Sequence, residues 1–261
     1  GNSGIDWKVG VFDTIIGYES SSSPLDPNYT RSYGYTIEPT THTGILGTYK
    51  VNDMLSISAG VADALNSDNG TFNGINNNSS YESQKTYMGA IALTGPDSWG
   101  VMKGTTINGG IIDSVDSASQ NGSTTSYYLG ATIPTPLQAL KVGAAFDYLS
   151  FHQSASPGEV WVVGLYASYQ INDKASLNVR GEIADDDWGL LYGFNSPGVS
   201  RNRNEELTVD LQYNLWANVI SRAEFRWDHV EHGKSFGAHS GSGANTRGND
   251  FLLALNVIYQ F

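Results

Sequence analysis

The feature that most constrains this chain is a two-residue alternation of apolar and polar side chains, repeated from end to end. Residues 218–230 show it most sharply. Val219, Ala223, Phe225 and Trp227 fall on one parity, and Arg222, Glu224, Arg226 and Asp228 on the other. Neighbouring side chains of a strand point to opposite faces, so this stretch has an apolar face and an ionic face. Residues 204–215 repeat the pattern, with Leu207, Val209, Leu211, Tyr213 and Leu215 opposed to Glu206, Thr208, Asp210, Gln212 and Asn214. The chain ends in NDFLLALNVIYQF, where Phe251, Leu253, Leu255, Val257, Tyr259 and Phe261 share one face.

Read along its length, the alternation predicts twelve strands: 5–16, 43–51, 54–63, 84–94, 99–112, 124–134, 139–151, 159–171, 175–184, 204–215, 218–230 and 248–261. Many run to about ten residues, the length a tilted strand needs to cross a bilayer. The connections differ in a regular way. Residues 51–53, 94–97, 134–136, 172–174 and 216–217 read as tight hairpin turns. The stretches 17–42, 64–83, 113–123, 185–203 and 231–247 read as long polar loops, with a shorter one at 152–158. A soluble sandwich has no reason to gather its long loops at one end. A transmembrane antiparallel barrel, with short periplasmic turns and long outer loops, does.

The aromatic residues sort by height on the apolar parity. Trp7, Tyr49, Trp99, Tyr169, Tyr213, Tyr259 and Phe261 fall near the short turns, and Tyr87, Tyr127, Tyr148, Trp161, Trp227 and Phe251 near the long loops. Two aromatic girdles around an aliphatic band match the headgroup zones of a membrane. The chain has no cysteine, which excludes thiol chemistry and disulfides, and its net charge of −12 argues against nucleic acid as a partner.

Two stretches carry a family likeness. One is the opening, with Gly10, Phe12, Thr14, Gly17, Tyr18 and Glu19. The other holds Thr30, Arg31, Ser32 and Tyr33, followed by Pro39, Thr41, His42, Thr43 and Gly44. They resemble the beta-barrel porin-2 family of Gram-negative outer membranes, with Thr30 standing where a serine is expected. The resemblance implies a single barrel domain over 1–261 and a porin-like channel. It also implies strands before Gly1, so that about twelve of roughly sixteen would be present; a complete twelve-strand barrel is the alternative. The terminal Phe261 is similar to the end signal read by the barrel-assembly machinery.

In such a protein function lies in the lumen. The inward parity supplies Lys8, Lys50, Lys141, Asp147, Arg180, Glu182, Glu206, Asp210, Arg222, Glu224, Arg226 and Asp228 as pore-lining candidates, since charges are costly in lipid and tolerable in a wet interior. Some of these would instead pair across strands and support the wall. Loop 17–42 is expected to fold in as a constriction carrying Glu19, Asp26, Arg31, Tyr33 and Glu38, with Arg31 opposite Glu19 or Glu38 setting a transverse field. Asp185, Asp186 and Asp187 are weak candidates for a hard cation; otherwise no metal and no cofactor is expected. Expected partners are outer-membrane lipid and lipopolysaccharide, small hydrophilic solutes, and further copies in a homo-oligomer. Rival readings are a structural or adhesive barrel with a blocked lumen and an outer-membrane hydrolase. The latter has no G-x-S-x-G motif to support it.

Overall fold

A computed structural model describes residues 4–63, 85–115, 122–153, 157–192, 200–237 and 245–261. Twelve strands form one antiparallel sheet: β1 (Ile5–Asp13), β2 (Thr41–Lys50), β3 (Leu55–Ala62), β4 (Thr86–Thr94), β5 (Thr106–Val115), β6 (Gly122–Pro134), β7 (Leu140–Gln153), β8 (Gly158–Gln170), β9 (Ala175–Asp186), β10 (Asn202–Trp216), β11 (Val219–Val230) and β12 (Asn249–Tyr259). Sheet order equals chain order. Among the described residues no pairing joins β12 to β1, so the sheet does not close on itself. Loop 64–83 lies outside the described residues, as do parts of the loops expected at 113–123, 152–158, 185–203 and 231–247.

Two strand expectations are corrected. The first strand stops at Asp13 rather than residue 16, because the chain turns off the sheet after Thr14, whose N–H bonds the Thr40 carbonyl at 3.0 Å. The strand expected at 99–112 begins only at Thr106. Residues Asp97–Met102 instead form a short 3-10 turn. Gly100 and Gly104 adopt φ of 60° and 79° there, which breaks an extended run. Trp99 therefore sits in this turn, 41% exposed, rather than on a strand.

Two tight turns use the same device. Asn52 Oδ1 accepts from the N–H groups of Met54 and Leu55 at 2.9 and 2.8 Å. Asn172 Oδ1 accepts from Lys174 and Ala175 at 2.9 and 3.1 Å. An asparagine that bonds the backbone two and three residues ahead closes the hairpin locally.

The two faces of the sheet differ completely. Among the described residues nothing lies over the apolar parity: Leu165, Leu253 and Leu255 are 62%, 78% and 83% exposed. Tyr87, Tyr127 and Phe251 are exposed toward one set of strand ends, and Trp7, Tyr49, Tyr169, Tyr213, Tyr259 and Phe261 toward the other, while Trp161, Tyr148 and Trp227 are half-buried. A continuous apolar wall of this size cannot be stable in water, whereas hydrocarbon suits it. Among the described residues no helix is long and apolar enough to cross a membrane.

Much of the polar parity is buried, and what buries it is the segment between β1 and β2. Ile16 packs with Phe12, Leu46, Met88, Ile112, Tyr128 and Tyr166, drawn from six strands. Tyr33 and Ile37 pack with Leu149, Val160, Val162 and Ala184 of β7–β9.

Leu165→Arg puts a charge in the middle of the apolar face. It is expected to destabilise the protein in lipid vesicles by about 2–4 kcal/mol, the cost of arginine at a bilayer midplane, read from denaturant unfolding. Ser168→Ala, on the polar face of the same strand, is expected to change stability little.

Candidate functional site

Strand register builds the site. Across β9, β10 and β11 the polar parity forms rows of directly opposed residues. Glu182 faces Glu206, which faces Asp228. Arg180 faces Thr208, which faces Arg226. Asn178 faces Asp210, which faces Glu224. Ser176 faces Gln212, which faces Arg222. Like charges directly opposite repel, so the acidic row is stable only because guanidiniums from the adjacent row reach into it. Arg180 Nε donates to Glu206 at 2.8 Å and lies 3.6 Å from Glu182. Arg226 donates two bonds of 2.8 Å to Asp228. All of these ionic side chains are buried, Arg180 completely.

Residues 14–40 lie across this wall. Their irregular backbone offers N–H and C=O groups that must be paired once buried, and the wall charges supply the partners. Glu224 accepts from the N–H groups of Tyr29 and Thr30 at 2.6 and 2.9 Å. Glu182 accepts from Tyr33 and Gly34 at 2.7 and 3.2 Å, at the first turn of the short helix α1 (Tyr33–Ile37). Arg180 donates to the carbonyls of Thr30 and Arg31 at 2.8 and 3.2 Å. Arg226 donates to the Arg31 carbonyl at 2.6 Å, and Arg222 to the Ser23 carbonyl at 3.2 Å and to the Asp26 carbonyl. Asn178 holds the Pro27 carbonyl at 3.1 Å. Ser32 caps α1 by accepting from the Tyr35 N–H.

Each loop candidate has a distinct place. Glu19 binds Arg180 at 2.7 Å; burial raises its pKa, and the Arg180 charge works against that rise. Asp26 accepts from Arg31 and from the Ser20 N–H; burial raises it as well. Tyr33 donates to Asp228 at 2.8 Å. Arg31, expected opposite Glu19 or Glu38, takes Asp26 as its main partner, because the two lie five residues apart in the same bend. Glu19 stands 3.9 Å away, and the Arg31 guanidinium covers the Tyr35 ring at 4.3 Å. Glu38 forms no ion pair with Arg31 and lies instead beside Asp147 of β7.

The wall candidates divide into two groups. Asp147, Arg180, Glu182, Glu206, Asp210, Arg222, Glu224, Arg226 and Asp228 are buried under the segment. Lys8, Lys50 and Lys141 are exposed, the first on the edge strand β1 and the other two at short-turn ends. Lys50 pairs with Asp53 in its own turn at 2.7 Å, and that pairing lowers the Asp53 pKa. The three consecutive aspartates do separate work. Asp185 pairs with Arg201. Asp186 accepts from the N–H groups of Trp188, Gly189 and Leu191. Asp187 accepts from the Glu159 N–H. Among the described residues no three acids or histidines converge on a metal position.

Sequence reasoning missed several participants. Tyr18 stacks on Tyr166 with centroids 3.9 Å apart and reaches Thr132 at 3.2 Å. It fits because residue 143 is glycine: a Cβ there would lie 1.9 Å from the Tyr18 hydroxyl. Tyr192 donates to Asp228 at 2.8 Å. The only hint in the sequence was that glycines recur on the inward parity, at 130, 143 and 164.

A family model described as beta-barrel porin-2, OmpL-like, matches residues 1–261. No protein of curated function matches the sequence. Among solved structures, the fold is similar to in-vitro folded OmpT, an outer membrane protein of Vibrio cholerae. The TM-score is 0.62 at 13% identity, over 97% of this chain and 75% of that one. A trimer form of the same Vibrio cholerae protein gives 0.59 at 13% identity, over 97% and 76%. An anion-selective porin from Comamonas acidovorans gives 0.60 at 11% identity, over 85% and 60%. With its apolar face bare, its charged face covered, and the family model matched from first residue to last, this chain belongs to the beta-barrel porin-2 family, the porin-type channels of the bacterial outer membrane.

Proposed function

We propose that the protein is a diffusion porin for small hydrophilic solutes and ions, with residues 14–40 as the element that narrows its lumen. The observation that carries this reading is the segment's position: it lies on the ionic face of a sheet whose other face suits lipid. Ionisable groups lining a water-filled barrel set which charges pass. Around the segment carboxylates outnumber guanidiniums. Glu19, Asp210 and Glu224 lie among them, and the whole chain carries −12. The reading therefore includes a preference for cations, opposite to that of the anion-selective relative.

The assembled form in this reading is a homo-oligomer, for which the trimeric relative is the precedent. Its outer loops meet lipopolysaccharide, and β12 with Phe261 is the strand presented to the assembly machinery. A barrel of purely structural or adhesive role, its lumen filled by the same segment, is the alternative that conductance separates.

In planar bilayers the protein is expected to give unit current steps that scale with salt concentration. A barrel with no steps at any salt defeats the proposal. Under a potassium chloride gradient the reversal potential is expected to have the sign of a cation-preferring pore and to move toward zero in Asp210→Asn. Arg31→Ala removes the single cation of the segment, whose side chain is 25% accessible. It is expected to raise both unit conductance and cation preference, and unchanged values would remove Arg31 from the passage.

A further inference from the structure

Among the described residues, Glu38 and Asp147 are the one meeting of segment and wall where two acids face each other without a base. Glu38 follows α1 and is 7% exposed; Asp147 lies on β7 and is 3% exposed. Their carboxyls stand within side-chain hydrogen-bonding reach of each other. Glu38 Oε1 and Asp147 Oδ1 are buried, and neither receives an N–H or O–H from the described residues. Arg180, on the wall at β9, is engaged by Glu19 and Glu206. Other neighbours of the pair add negative charge or only phenol groups: Glu19 from the segment, Glu182 from β9, Tyr128 from β6 and Tyr166 from β8.

The segment's backbone packs directly against both carboxyls. Gly17 and Gly34 roof the pair so closely that a Cβ would come within 2.5 Å of Glu38 Oε2 and 2.6 Å of Asp147 Oδ2, respectively. Gly17 also has φ of +112°, a conformation that favours glycine. Two carboxylates in contact cannot both stay ionised, and the smallest species that relieves them is a proton.

We propose that Glu38 and Asp147 share one bound proton, and that this proton latches residues 14–40 onto β7. The proposal rests on the reading of this segment as the narrowing element. Glu38 also borders a cavity of about 230 Å³ between the segment and the wall, lined by Asp13, Glu19, Tyr35, Asn108 and Tyr128 among others, with no basic residue. That cavity gives the proton a route to water. Burial raises the Glu38 pKa well above the ordinary carboxylate range, and the Asp147 charge raises it further.

The pH dependence has a definite sign. A released segment would let Glu38 titrate in the ordinary carboxylate range, whereas the docked segment holds its proton to higher pH. Docking therefore binds a proton across the interval between those two values. The docked state weakens as pH rises through that interval, and the loss is complete above the raised value.

Two measurements test the latch. Infrared spectra of the folded protein in detergent at pH 7 are expected to show the carbonyl band of a protonated carboxyl, diminished in E38Q and in D147N. A band of wild-type size in both variants overturns the shared proton. This measurement does not depend on conduction, so it decides the proposal even if the protein proves not to be a porin. In planar bilayers wild-type conductance is expected to rise reversibly as pH increases. E38Q is expected to lose that rise, because an amide hydrogen-bonds Asp147 at every pH. A flat wild-type profile, or an unchanged rise in E38Q, overturns the latch.

Discussion

Everything on the polar face depends on hydrogen bonds between charged wall side chains and the backbone of an irregular segment. Residues 14–40 contain almost no regular structure, so their peptide groups cannot satisfy one another. A buried N–H or C=O without a partner costs about as much as a lost hydrogen bond. Glu182 and Glu224 each take two N–H groups, and Arg180, Arg222 and Arg226 take carbonyls. The wall charges thus have a structural task alongside their electrostatic one. Charge-assisted bonds are the strong class of hydrogen bond, which lets a segment with a five-residue helix hold a fixed position.

The same bonds explain how so many ions tolerate burial. A buried charge is acceptable only when paired and fully hydrogen-bonded. Arg180 meets this by serving Glu19, Glu206 and two carbonyls at once. Glu38 and Asp147 do not meet it with a base. The difference between those two sites separates groups that only hold the segment from groups that can respond to their surroundings.

The sheet was readable in the sequence because period-two alternation is a local property that both lipid and water enforce. The twelve strands and the inward ionic residues of β9–β11 follow from parity alone, as does the aromatic placement on β10 and β12. Position along the strand was less readable. Trp99 belongs to a 3-10 turn because two glycines adopt left-handed backbone, and nothing in the alternation of the residues after it announced this. Pairing within the segment was not readable at all. Charge assigned Arg31 to Glu19 or Glu38, and the bend of the chain gives it Asp26 instead. Asp147 meets Glu38 across more than a hundred residues of sequence, a proximity created by the segment folding back over the polar face of the sheet.

Those sequence separations bear on how the molecule comes to be built. Every strand pairs with its chain neighbour, so the sheet grows through contacts that are local in sequence, and asparagine-closed turns such as those at Asn52 and Asn172 give individual hairpins a start of their own. The bonds from Tyr29 and Thr30 to Glu224 span 195 and 194 residues. Since closing a long loop of chain brings its entropy cost before its contacts form, the segment between the first two strands waits for the eleventh. The sheet can thus be raised from neighbour contacts alone, while the segment that fills it needs strands from both ends of the sheet before it can be fastened.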